Sequence, residues 1–188
     1  MELILTREVT TSKNITRVVL ITAFVFAMAF GAYVRIPLGF TPVPLTLQTF
    51  FVLLSAAVLK NKWGPSVQLI YITLGLAGIP LFANSGSGTA YFFGPTGGYL
   101  IGFIVAALFL SQLLNEPVPA FRKILISMAF AEVIILSLGS IWLKAYTGLS
   151  LEKAFILGFV PFIAGDFIKV LSAALFFQVI KKRVREIL

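Results

Sequence analysis

The sequence predicts an all-α integral membrane bundle of six transmembrane helices, with both termini on the cytoplasmic side. Three observations predict it. First, 59% of the 188 residues are hydrophobic and only 12% are charged. The mean hydropathy is +1.02, and a soluble domain of this length needs far more polar surface. Second, apolar runs recur that approach the roughly 20 residues needed to cross a hydrocarbon layer of about 30 Å. Third, Lys and Arg concentrate in alternate connections between those runs, as orientation by positive charge requires.

The first run, 15–34, follows a mixed-charge stretch and is longer than the core of a signal peptide. No small-x-small cleavage site stands out after it, so it reads as a retained span. Within it Ala23, Ala27 and Gly31 recur every fourth position on one face. Small residues at that spacing let two helices approach closely in lipid; the second helix belongs either to this chain or to another membrane subunit. The next connection, RIPLGFTPVP (35–44), is stiffened by three prolines.

The second span, 45–60, is short and carries Gln48 near its outer end. The third, 63–82, is followed by ANSGSGTAYFFGPTGG, small residues wrapped around Tyr91, Phe92 and Phe93, with Asn84 just beyond the span. The fourth, fifth and sixth spans are 95–114, 122–146 and 153–180, and Glu132 interrupts the fifth. Trp63 and Trp142 lie near span ends, where an interfacial belt places them. Connections are brief, so residues 1–188 are expected to form a single membrane domain.

Charge gives the orientation. The N-terminal segment, the connections 2–3 and 4–5 and the C-terminus together carry eleven Lys and Arg, from Arg7 to Arg185; the opposite side has three, Arg35, Lys144 and Lys153. Both termini are therefore expected in the cytoplasm, and an odd number of spans would destroy the bias. The sparsely charged side holds both the proline-rich and the glycine-rich connection, which together read as lids over a cavity.

The net charge of +8 does not point to nucleic acid, because the basic residues lie between apolar runs, where they set orientation and touch anionic headgroups. There is no Cys and no His. That removes disulfides, thiolate or imidazole metal sites and His-based triads, and no metal or other cofactor is expected. One aspartate excludes a di-aspartate protease, and no Ser lies beside Lys169 to make a Ser–Lys dyad. No phosphate-binding Gly-rich loop ending in Lys-Ser/Thr is present, so the chain is not itself an ATPase. It is not expected to be an enzyme.

The sixth span poses the sharpest question. PFIAGDFIKV (161–170) holds the only aspartate, Asp166, and Lys169 one turn later. Each charge costs about 2.5–3.5 kcal/mol at the centre of a span. The fourteen Leu, Ile, Phe and Val residues of 157–180 return about 4–8 kcal/mol, so the pair nearly cancels the insertion margin. The spacing sets both groups on one helical face, near enough to compensate each other. They form either a structural ion pair or the wall of a water-filled ligand cavity, and Pro161 and Gly165 favour the second by bending the helix beside them. Glu132 is equally consistent with a buried partner for a cation and with a functional group.

FTPVPLTLQTF (40–50), FGPTGGYLIGF (93–103) and FIAGDFIK (162–169) together closely resemble the BioY family, the biotin-specific substrate-binding components of energy-coupling factor (ECF) transporters. The resemblance runs over nearly the whole chain. It implies a six-helix protein of the cell membrane that captures biotin from outside, then docks on a transmembrane coupling subunit driven by two cytoplasmic ATPase subunits. It implies that Asp166, Lys169 and Asn84 bind the ligand. It implies also that the small-residue motif at Ala23 and Ala27, extended to Gly31, meets the coupling subunit.

Biotin suits these groups. Its ureido ring offers two N–H donors and a carbonyl, so an ionised Asp166 accepts from the N–H groups while the Asn84 amide both donates and accepts. Lys169 donates either to the ureido oxygen or to the carboxylate of the tail. Tyr91 and Phe92 would cover the apolar rings, with Gln48 among the polar residues at the same end. The alternatives are a solitary transporter without ATPase partners and a proton-coupled carrier that titrates Asp166 and Glu132.

Overall fold

The computed structural model describes residues 2–116 and 118–188; the side chains of residues 1–12, Arg7 among them, lie outside the described residues. Its helices are α1 (Glu2–Tyr33), α2 (Gln48–Leu59), α3 (Trp63–Leu76), the short α4 (Gly88–Phe92), α5 (Gly97–Leu113), α6 (Phe121–Thr147), α7 (Leu151–Gly158) and α8 (Ile163–Ile187). Single 3-10 turns occupy Ala83–Ser85 and Val160–Phe162.

Helix occupies each of the six predicted intervals. Three stretches are by themselves long and apolar enough to cross a membrane: Lys13–Tyr33, Phe121–Thr147 and Leu151–Ile187. Apolar side chains such as Phe26, Phe30, Leu69, Leu108, Phe130 and Phe167 point outward from α1, α3, α5, α6 and α8. So much exposed apolar surface is foreign to a protein in water.

The central helix is α2, which packs against α1, α3, α5 and α8. Only at Phe50 and Phe51 is it less than buried, as expected of a helix apolar on all sides. The closest pairing is α5 on α6. A methyl group on Gly98 would stand 2.1 Å from Cβ of Trp142 and 2.6 Å from the Leu138 carbonyl oxygen. The absent side chain is what lets the two backbones touch.

Three departures from the sequence reading matter. The chain is not purely helical: between α1 and α2 a two-residue antiparallel ladder joins β1 (Arg35–Ile36) to β2 (Leu45–Thr46), Arg35 opposite Thr46 and Ile36 opposite Leu45. A second bridge pairs Phe82 with Gly86. The third predicted span ends as helix at Leu76 and not at residue 82, because Gly78 turns at a φ of 101° and Pro80 follows. The sixth is not one helix. It breaks after Gly158, where Phe159 leaves helical geometry (φ −122°, ψ −58°) and Pro161 sits in the 3-10 turn. A proline inside a helix removes a hydrogen bond and clashes with the preceding turn.

Candidate functional site

The break after α7 delivers the site. Restarting at Ile163, α8 places Asp166 in its first turn, where the helix dipole favours a carboxylate, and Lys169 one turn on. The two are ion-paired and buried, with 3% and 8% of their surface exposed. The Lys169 ammonium also donates to the Thr46 carbonyl at 2.9 Å, tying α8 to β2. The Leu45 side chain packs onto Gly165 there, and a methyl group on Gly165 would lie 3.0 Å from it.

Against this pair lies the start of α2. The Gln48 amide donates to the Tyr71 hydroxyl at 2.8 Å, and that hydroxyl donates to the Leu81 carbonyl at 2.7 Å. The Thr46 hydroxyl donates to the Gln48 carbonyl oxygen at 3.3 Å. From the outer loop, Tyr91 stacks on Phe82 with ring centroids 5.1 Å apart, and Phe82 meets Tyr71 edge-on at 5.6 Å. Burial raises the Tyr91 hydroxyl above its usual pKa, so it stays neutral and keeps its proton to donate.

These groups line a partly open cavity, and concave sites that mix apolar walls with a few polar groups are the usual form of small-molecule sites. Its polar lining residues are Thr46, Gln48, Thr49, Thr96, Asp166 and Lys169. Phe82, Tyr91, Tyr99, Leu100, Phe103 and Phe162 are among those that add aromatic and apolar surface. Apart from the ion pair, neither Asp166 oxygen has a hydrogen-bond partner, and the buried Thr49 hydroxyl has none either. The arrangement suits a ligand with an apolar body and an uncharged hydrogen-bonding end. Among the described residues no group of three or more acidic, His or Cys side chains is placed to hold a metal.

Four of the sequence-predicted residues, Gln48, Tyr91, Asp166 and Lys169, share this cavity; Asn84 and Phe92 do not line it. Asn84 is exposed, at a φ of 61°, on an adjoining outer recess bounded by Pro42, Pro44, Tyr91, Thr96 and Tyr146. Phe92 is half-buried and meets Phe93 edge-on at 5.4 Å.

Sequence reasoning passed over Thr49, Thr96 and Tyr99. Two of them were signalled, since Thr96 and Tyr99 are the polar members of FGPTGGYLIGF, and the Tyr99 hydroxyl holds the end of α7 by donating to the Gly158 carbonyl at 2.6 Å. On α1, Ala23 is exposed and Ala27 half-buried. Gly31 differs: it is buried, with a Phe51 side-chain atom and the Leu47–Gln48 backbone 3.0–3.1 Å from where a methyl would stand. Its small size serves packing inside the chain.

A family model described as the BioY family matches residues 6–186. A protein of Thermotoga maritima named biotin transporter BioY is 45% identical over 159 residues, covering 85% of this chain and 92% of the relative. A Pyrococcus horikoshii protein named probable biotin transporter BioY is 42% identical over 156 residues, covering 83% and 90%. Among solved structures, the S-component for biotin from an ECF-type ABC transporter superposes with a TM-score of 0.81 at 25% identity, covering 92% of each chain.

Proposed function

The chain belongs to the BioY family, and from that membership we propose that it captures biotin as the substrate-binding subunit of an ATP-driven ECF-type importer. It crosses the cell membrane six times with both termini in the cytoplasm, as the charge bias between its connections supports. The observation that carries the reading is the buried Asp166–Lys169 pair lining a cavity that it shares with aromatic and aliphatic side chains.

Asp166 accepts from the ureido N–H groups, and Lys169 neutralises it while donating to an oxygen of the ligand. Tyr91, Phe82 and Phe103 cover the rings. Gln48, held by Tyr71 and Thr46, keeps its amide at the cavity. Asn84 and Phe92 act from the outer loop that borders the cavity through Tyr91 and Thr96. A ligand without the ureido group would leave buried charge unpaired and be rejected.

Native mass spectrometry on protein purified without added ligand tests the substrate. One retained biotin is expected, and a ligand-free chain that also gives no heat with biotin would defeat the assignment.

Energy comes from partners. The exposed Ala23 and half-buried Ala27 make a shallow notch on α1 between the outward side chains of Val19, Phe26 and Phe30, and there the transmembrane coupling subunit docks, bringing two cytoplasmic ATPases. Ala23→Trp or Ala27→Trp is expected to leave biotin binding intact while abolishing co-purification with a co-expressed coupling subunit. Tryptophan variants that still co-purify would move the docking face elsewhere.

A further inference from the structure

Glu132 has no part in the site as described so far. It sits midway along α6, 4% exposed, and neither carboxyl oxygen has a hydrogen-bond partner. With Asp166 it lines a groove between α6 and α8 whose other walls are apolar, among them Ala129, Val133, Phe159 and Ile163. Asp166 belongs also to the cavity wall, whereas Glu132 does not. Asp166 therefore stands between the two spaces, with the cavity on one side and Glu132 on the other.

The groups facing Glu132 are Asp166 and Lys169 from α8 and Thr49 from α2. From α5, Tyr99 faces Asp166. Of these only Lys169 carries a positive charge, and it is already paired with Asp166 and bonded to Thr46. Two ionised carboxylates beside one ammonium would leave a net negative charge in a buried, apolar setting, which is strongly disfavoured without compensation. Two carboxyls in one site relieve this by holding one proton between them.

We infer that Glu132 and Asp166 share a single proton, so that the two carboxyls carry one negative charge matched by Lys169, and that Glu132 positions Asp166 for the ligand. A proton held on the Glu132 side fixes the carboxyl rotamer of Asp166. It leaves the cavity-facing oxygen as a pure acceptor for an N–H donor. Glu132 is a positioning residue here, because it acts through Asp166 and touches no ligand. The inference rests on the biotin reading for its effect on affinity, but not for the proton itself.

Infrared spectra of the chain in nanodiscs separate the two. A protonated-carboxyl stretch is expected in protein without ligand and should vanish in Glu132→Gln; its absence from the unaltered chain overturns the shared proton whatever the chain binds. By calorimetry, Glu132→Gln keeps a neutral donor and is expected to bind biotin within about threefold of the unaltered chain, whereas Glu132→Ala weakens binding at least about tenfold. A glutamine variant as weak as the alanine one would overturn the positioning role. Failure of the unaltered chain to bind biotin would count against the substrate alone.

Discussion

Replacing Lys169 with alanine is expected to cost about 3–5 kcal/mol of stability, the usual result of removing one partner from a buried ion pair. Three things fail together. Asp166 loses its counter-charge, the Thr46 carbonyl loses the donor that ties β2 to α8, and Glu132 is left beside an uncompensated carboxylate. Biotin binding should fall below detection, because the cavity wall no longer has a fixed geometry. Thermal unfolding in detergent reads the first effect and calorimetry the second. An unfolding midpoint equal to that of the unaltered chain would mean that the ammonium is not structurally engaged.

Asp166→Asn is a gentler change with a large consequence for binding. The amide nearly preserves volume, so the cavity keeps its shape. One acceptor oxygen becomes a donor and the charge is lost, which turns a charge-assisted hydrogen bond into a neutral one or a clash of donors. Bonds to charged groups contribute about 1.5–3 kcal/mol against about 0.5–1.5 kcal/mol for neutral ones. Biotin affinity is therefore expected to drop at least about tenfold, a loss of roughly 1.4 kcal/mol. An unchanged titration would remove Asp166 from the ligand's contacts. The two variants also differ usefully. If Lys169→Ala unfolds the chain, Asp166→Asn still reports on the site.

Much of this architecture is legible from local chemistry. Helices fill the apolar intervals because nothing else satisfies the backbone in lipid, and the break before Asp166 is written in Pro161. Pairing of Asp166 with Lys169 follows from a spacing of one helical turn. What spacing could not supply is the relation between distant segments. That Thr46 would meet Lys169, or that Gly31 would face Phe51, depends on how α1, the hairpin and α8 cross. Thr49 went unnoticed because a hydroxyl beside Gln48 carries no charge cost that would single it out. Asn84 presents the reverse case. The family resemblance singled it out, but a left-handed turn leaves it exposed on the adjoining recess and off the cavity wall.

The shortness of α2 has a consequence of its own. At 1.5 Å per residue its twelve residues span about 18 Å, so roughly 12 Å of a 30 Å hydrocarbon layer is left without helix above or below it. The chain just before α2 finds backbone partners within the protein, in the rungs between Arg35–Ile36 and Leu45–Thr46 and in the ammonium on Thr46. About two further turns at the start of α2, where Gln48 lines the cavity, would run into the room a vitamin needs. The missing turns are thus what hollows the protein out.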